Sequence, residues 1–210
     1  MNHGEIHTQI NSSNYDAIIS LGNKCPTAMI LRKLGIYRES FPFDYVPTTP
    51  ELILKYMKNS LLFYPGKRDK YTSDGVWFGH FDTDKDYDIT IETFKKRFDR
   101  LFAMLENKKI LFVYTSEADM YNEMNNRYND NYGDLKHIYK YLRETYSGDF
   151  TILAVHTNNE YPAEPGFIHY TIQVDEKYLS DNQETHTKSN VELYRNVLTS
   201  LFNKIFLDHK

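Results

Sequence analysis

The only cysteine of this 210-residue chain, Cys25, lies between an apolar run and a helical pattern. Residues 16–22 (DAIISLG) predict a buried strand, and residues 26–34 predict a short helix. Pro26 suits the first helical position, because its missing N–H would be unpaired there, and Gly35 ends the helix. We therefore expect Cys25 to be the N-cap of this helix or its near neighbour.

A thiol at the start of a helix is in a position that cysteine nucleophiles use. Unpaired N–H groups and the positive end of the helix dipole favour the thiolate over the thiol, and Lys24 acts in the same direction. Ligands of open α/β sheets also bind at the carboxyl ends of strands. The alternative is a small buried residue that fills a loop, which is common for a free cysteine. The position alone favours neither interpretation.

A thiol nucleophile needs a base, and two of the eight histidines are candidates. His80 lies among acidic residues in WFGHFDTD, and His156 follows the apolar run ILAV at the end of a predicted strand. The residue pattern leaves both open. The others lie near the termini or are expected to be solvated or structural: His3, His7, His137, His169, His186 and His209.

Charged side chains suggest how such a site could be completed. Asp44 lies between two aromatic residues in the proline-stiffened loop FPFDYVP, where an unpaired carboxylate would be costly to bury. Either Asp44 or Asp82 could orient the imidazole, although Asp44 could instead cap a turn. Arg97 and Arg100 lie on a predicted helix and could hold an anionic ligand, with a solvated helix face as the alternative.

The elements that would position these residues alternate along the chain. Further strands are predicted at 108–115, 150–157 and 166–174, and residues 74–81 are strand-like. Helices are predicted at 50–62, 90–106 and 134–146, and a last one follows a capping box at 189–192. The polar stretch 117–134 predicts a functional or mobile loop.

Continuous apolar strands between helices indicate a largely parallel sheet that is covered on both faces. We predict one three-layer α/β domain over residues 15–210, with four to six strands, after a flexible arm at residues 1–14.

Composition excludes several classes of protein. The net charge of -4 argues against general nucleic-acid binding, and a single cysteine excludes an intrachain disulfide. The N-terminus has no signal-peptide core, and no apolar run approaches the roughly 20 residues that span a bilayer. We therefore expect a soluble, cytoplasmic protein without membrane association. No residue spacing indicates a metal or a cofactor, and the oligomeric state is not indicated.

The stretch ISLGNKCPTAMILRKLGIYRESFPFDY, residues 19–45, resembles the opening of a family of predicted papain-like cysteine peptidases. That family is marked by S-L-G, a Cys three residues on, a helix containing L-R-x-L-G, and then P-F-D-W. This chain matches these positions, with Tyr45 in place of Trp. Downstream, WFGHFD resembles the family's aromatic-x-His element, and FKKRFDRL and KKILFVYT resemble its Arg-bearing helix and the strand that follows.

The resemblance implies that Cys25 is the nucleophile and His80 the base, with Asp44 near the site. The first hypothesis is therefore a papain-like cysteine peptidase, or a related thiol hydrolase or transferase, that acts on a peptide or a small molecule. N–H groups near Thr27 and Ala28 would stabilise the oxyanion. The candidate binding residues are Gly22, Asn23, Thr27, Asp82, Arg97 and His156.

The alternative is a non-catalytic binding module. It would recognise an anionic small molecule, such as a nucleotide or a sugar phosphate, or a protein partner. The helix N-terminus would then hold the anion, and Cys25 would only shape the loop.

Overall fold

A computed structural model of the chain describes residues 1–22, 25–116, 132–175 and 188–207. In this part of the chain one sheet has the strand order β1-β5-β4-β3-β2. Strands β2 to β5 pair in parallel, and β1 is antiparallel to β5. The prediction of an α/β fold with a mostly parallel sheet of four to six strands is confirmed. The strands are β1 (Asn2–His3), β2 (Ala17–Ser20), β3 (Lys109–Thr115), β4 (Asp149–Thr157) and β5 (Phe167–Gln173).

The predicted helices are also present, with small shifts at their ends. The helix predicted at 50–62 ends earlier, at Lys58, and a 3-10 turn, Ser60–Phe63, follows it. None of the helices in the described ranges is long and apolar enough to cross a membrane. The helices are α1 (Cys25–Lys33), α2 (Pro50–Lys58), α3 (Tyr87–Leu105), α4 (Tyr132–Thr145) and α5 (Lys188–Ile205).

Two predicted features fall outside the described residues. The polar stretch predicted to be a loop lies mostly within 117–131, and its last residues begin α4. The side chains of the capping box predicted before α5 lie mostly within the undescribed part of that helix's first turn.

The segment predicted to be strand-like, residues 74–81, is not a strand, so this prediction was wrong. Its backbone bonds within a tight turn, where the Thr72 N–H donates to Val76 O at 3.0 Å and the Phe78 N–H to Lys70 O at 2.7 Å. Among the described residues, it forms one isolated bridge, between Tyr71 and Trp77. The alternation of buried and exposed residues is present, but no described strand pairs with this segment.

The start of the chain makes contacts with the rest of the fold. Asn2 and His3 form β1 against the far edge of β5. Ile10 is buried, and its N–H donates to Ile205 O at 2.7 Å. These residues belong to the segment predicted to be a flexible arm, and here they pair with β5 and α5.

An aromatic cluster centred on Phe63 joins the parts of the chain that carry the candidate site. The ring of Phe63 lies 5.1–6.0 Å from five others, and it is fully buried. These rings come from the loop after α1, from α2, from the turn before His80 and from α3. The aromatic cluster thereby holds the His80 segment against α3. Its members are Phe43, Tyr56, Phe63, Phe78, Phe94 and Phe98.

We expect Phe63→Ala to lower the free energy of unfolding by about 3–5 kcal/mol, because it leaves a cavity at the centre of the aromatic cluster. Urea denaturation followed by circular dichroism measures the change. Leu61→Ala is the matched control, since Leu61 lies in the same turn but is 75% exposed, and it should change stability by less than about 0.5 kcal/mol. Equal effects of the two substitutions would contradict the central place of Phe63.

Candidate active site

Cys25 and His80 form a close pair at the carboxyl edge of the sheet. Strand β2 ends at Ser20, and α1 begins at Cys25 itself, one residue earlier than predicted. The Cys25 Sγ atom lies 3.4 Å from Nε2 of His80, which is within hydrogen-bond distance for sulfur. Cys25 is partly exposed and His80 is exposed, so a substrate can reach both side chains.

The turn before Cys25 packs closely against the proline-rich loop. Gly22 has a φ of +74°, a conformation that favours glycine, and a Cβ at this position would overlap Oγ1 of Thr48. Its N–H donates to Oγ of Ser20 at 3.2 Å. Gly22, one of the candidate binding residues, therefore allows the turn to pass beside the loop. The candidate Asn23 and its neighbour Lys24 lie outside the described residues.

The residues on both sides of His80 anchor it to α3. The Phe81 N–H donates to Phe78 O at 2.9 Å, so residues 78–81 form a tight turn. The rings of Phe78 and Phe81 lie 5.1 and 4.9 Å from the ring of Phe94 on α3. His80 is thus an exposed side chain on a turn whose flanking aromatic residues pack against α3.

Asp44 is fully buried and receives hydrogen bonds from three groups. The hydroxyl of Tyr37 donates to Oδ1, the Phe41 N–H donates to Oδ2 at 3.0 Å, and Nη2 of Arg32 donates to Oδ2 at 3.3 Å. Arg97, on α3, is close enough for its charge to act on the same carboxyl. We call these residues the Asp44 network: Asp44, Arg32, Tyr37, Phe41 and Arg97.

Burial shifts the pKa values of Asp44 and Arg97, two of the charged residues of the Asp44 network, in opposite directions. It raises the pKa of Asp44, against the hydrogen bonds from Tyr37 and the Phe41 N–H and the charges of Arg97 and Arg32. Burial also lowers the pKa of Arg97, and the nearby Asp44 carboxylate opposes that shift. The charge of each group therefore favours the ionised form of the other in this desolvated place.

Arg97 also contacts the His80 turn. Its guanidinium lies 4.8 Å from the ring centroid of Phe94 and 5.9 Å from that of Phe81. Since Arg32 lies on α1 and Arg97 on α3, the Asp44 network joins the helix of the nucleophile to the helix that supports the histidine. The expectation that Arg97 holds an anionic ligand remains untested.

Asp82, the other acid considered for orienting the imidazole, caps a turn. Its Oδ1 accepts the N–H groups of Asp84 and Lys85, each at 3.0 Å, and these bonds lower its pKa. The hydrogen bonds of Asp44 and Asp82 therefore go to groups other than the His80 ring. Within the described part of the chain, the one hydrogen-bond partner of that ring is Cys25.

Thr27 and His156, two further candidate binding residues, contact other side chains of the fold. Oγ1 of Thr27 lies 2.5 Å from Oγ1 of Thr115, which fastens α1 to the end of β3. His156 is buried on β4, and its Nε2 lies 2.9 Å from Nδ1 of His169. Strand β3 separates β4 from β2, so these two strands lie about 10 Å apart. The fold therefore brings His80 to Cys25 and gives His156 another partner.

The sequence analysis missed two partners of Asp44, one on α1 and one in the loop that follows it. Arg32 and Tyr37 lie within twelve residues of it, and a buried carboxylate requires such donors. It also missed Trp77, whose ring centroid lies 6.0 Å from that of His80. The signal for Trp77 was its place three residues before His80 in WFGHFD.

A family model described as "Putative papain-like cysteine peptidase (DUF1796)" matches residues 16–67. The predicted resemblance is confirmed over this stretch, which includes β2, α1, Cys25 and Asp44 and ends before His80. The chain is similar to that family over 52 of its 210 residues. A comparison with curated proteins finds no significant match, and a comparison with solved structures finds none either.

We expect Asp44→Asn to lower the free energy of unfolding by roughly 2 kcal/mol or more, because it weakens the hydrogen bonds of a fully buried acceptor and removes the counter-ion of the partly buried Arg32 and Arg97. One buried N–H of Arg97, at Nη1, already has no hydrogen-bond partner in the described structure. Urea denaturation measures the change. Asp82→Asn is the control, since an amide oxygen can still accept the two turn N–H groups, and little change is expected. An unchanged free energy of unfolding in Asp44→Asn would contradict a stabilising role of the Asp44 network.

Proposed function

We propose that this protein is a cytosolic thiol hydrolase of the papain-like peptidase type, with Cys25 as nucleophile and His80 as general base. The observation that carries the proposal is the 3.4 Å separation of Cys25 Sγ and His80 Nε2. Pairing of a thiol and an imidazole at hydrogen-bond distance is the arrangement that activates a cysteine for attack on a carbonyl carbon. The similarity of residues 16–67 to a family of papain-like cysteine peptidases supports a peptide as the substrate class.

The reaction proceeds in two steps. Nε2 of His80 takes the thiol proton, and the sulfur of Cys25 attacks the carbonyl carbon to form a tetrahedral intermediate. The intermediate collapses, the bond to the leaving group breaks, and the imidazolium donates its proton to the departing atom. The acyl group is then a thioester on Cys25. A water molecule that gives a proton to His80 attacks this thioester, and the free acid and the thiol are restored.

The first turn of α1 is suited to hold the oxyanion. The first N–H groups of a helix have no intrahelical acceptor, and here Pro26 contributes none. The N–H groups of Thr27 and Ala28 follow it, and they lie at the positive end of the helix dipole. They would stabilise both the thiolate and the oxyanion of the intermediate.

Packing, in place of a carboxylate, orients His80 in this proposal. Phe78 and Phe81 fix the turn on both sides of the imidazole, and Asp44 supports it indirectly through Arg97. Asp44 is therefore a positioning residue in this proposal. The catalytic groups are a Cys–His pair.

We expect iodoacetamide to label Cys25 with a pH midpoint below the ordinary thiol value of about 8.5, because the imidazole and the helix dipole favour the thiolate. His80→Ala should raise the midpoint toward that value. His137→Ala is the matched control, because His137 is an exposed histidine on α4, and it should leave the profile unchanged. Since Cys25 is the only cysteine, the labelled fraction measured by mass spectrometry reports it alone.

A midpoint near that of a free thiol, unaltered in His80→Ala, would contradict the thiolate–imidazole pair and favour the non-catalytic binding module. A second measurement tests chemistry directly. Mixing with p-nitrophenyl acetate should give a burst of nitrophenolate and add the mass of one acetyl group to the protein.

We expect Cys25→Ala to abolish this burst and His80→Ala to slow acylation by roughly 100-fold or more, which is the ordinary contribution of a general base. Stopped-flow absorbance measures the burst rate. His137→Ala should acylate at the wild-type rate. Acylation that proceeds equally well without His80 would remove the imidazole from the mechanism.

A further inference from the structure

Two exposed aromatic side chains, Tyr71 and Trp77, lie beside the candidate active site. Trp77 is 43% exposed and Tyr71 is 47% exposed, which is a large apolar surface for two neighbouring side chains to leave in contact with water. The two residues form an antiparallel bridge, so their side chains extend from the same face with Cβ atoms about 5 Å apart. We call this pair the aromatic shelf.

The aromatic shelf is continuous with the Cys–His pair. The ring centroids of Trp77 and His80 lie 6.0 Å apart with their planes tilted by 47°. The indole lies against the backbone of Gly79, where a Cβ would overlap it. The absence of a side chain at Gly79 thus lets the indole pack against the backbone next to the imidazole.

The chemistry of the proposed reaction determines which part of a substrate lies on this side. The imidazolium must donate its proton to the departing atom, so that atom lies about 3 Å from Nε2 of His80. The acyl carbon is meanwhile bonded to the sulfur of Cys25. A leaving group that is protonated by His80 is therefore within reach of Trp77, whose ring centroid lies 6.0 Å from that of the imidazole.

We propose that the aromatic shelf binds an apolar, preferably aromatic, leaving group of the substrate. In a peptide this is the side chain that follows the scissile bond. Aromatic rings gain from edge or offset contacts with one another and from removal of their faces from water. The proposal rests on the proposed function and specifies the substrate class of that site.

The proposal distinguishes the two steps of the reaction. The leaving group is present during acylation, and it has departed before the thioester is hydrolysed. Changes in the shelf should therefore alter the acylation rate for apolar leaving groups and leave the hydrolysis of a given acyl-enzyme unchanged.

The test uses two acetyl thioesters, S-benzyl thioacetate and S-(2-hydroxyethyl) thioacetate. They share the acyl group, and their thiols have similar acidity, so they differ mainly in the apolar ring of the leaving group. We expect wild-type Cys25 to be acetylated roughly 5-fold or more faster by the benzyl compound, relative to the uncatalysed reaction of each with a free thiol. Deacetylation should have one rate whichever donor was used.

Trp77→Ala and Tyr71→Ala should each reduce this preference toward unity without changing the deacetylation rate. Gly79→Ala should also reduce it, because the added Cβ displaces the indole. Leu207→Ala, which removes an exposed apolar side chain two residues after α5, should keep the wild-type preference. A preference that is absent in the wild type, or retained in Trp77→Ala, would overturn the proposal.

A binding measurement provides a readout that does not depend on turnover. Trp77 is the only tryptophan, so the intrinsic fluorescence of the Cys25→Ser variant reports the aromatic shelf directly. Benzyl alcohol should change this emission with saturation, and 2-methoxyethanol should not. If benzyl alcohol binds with saturation but neither thioester acetylates wild-type Cys25, the proposed hydrolase is refuted and the aromatic shelf is supported as an apolar binding site. His80-dependent acetylation without binding or preference would refute the shelf alone.

Discussion

The position of the Asp44 carboxylate is the constraint on which the rest of the site depends. It is fully buried, and an isolated carboxylate in such a place would be expensive, so it requires donors and positive charge around it. Arg32 on α1 and Arg97 on α3 supply the charge, and Tyr37 and the Phe41 N–H supply further hydrogen bonds. Satisfying one buried charge therefore sets the distance between the two helices that support the reactive pair.

Cys25 and His80 are 55 residues apart in the chain, and the buried side chains that support them bring them into contact. The aromatic cluster holds the turn before His80 against α3, and the Asp44 network ties α3 to α1. Cys25 and His80 themselves stay open to solvent at the carboxyl edge of the sheet. The supporting residues are closely packed, and packed side chains keep Cys25 and His80 at a fixed distance. The reactive pair is exposed because a substrate must reach it.

Local patterns predicted most elements because their signals are contained within a few turns or strands. The apolar runs of β3 and β4 and the 3–4 spacing of Phe94, Phe98 and Leu101 on α3 are of this kind. The alternating pattern at 74–81 led to a wrong prediction of a strand. Alternation shows which side chains are buried, but a strand also needs a neighbouring strand with which its backbone can pair. Whether such a neighbour exists depends on residues far along the chain.

The sequence by itself determined that Cys25 stands at the start of a helix, since a strand, a glycine turn and a proline are all local signals. It also determined the mostly parallel α/β class from the alternation of apolar strands and helices. Only the tertiary structure decided that His80 lies beside the sulfur, that His156 pairs with His169, and that Asp44 bonds to Arg32 and Tyr37. The contact of His80 with Cys25 joins distant segments that meet only when burial of the aromatic cluster and of one carboxylate fixes the helices together. The pairing of β4 with β5 brings His156 to His169, and the fold of the loop after α1 brings Asp44 to Arg32 and Tyr37.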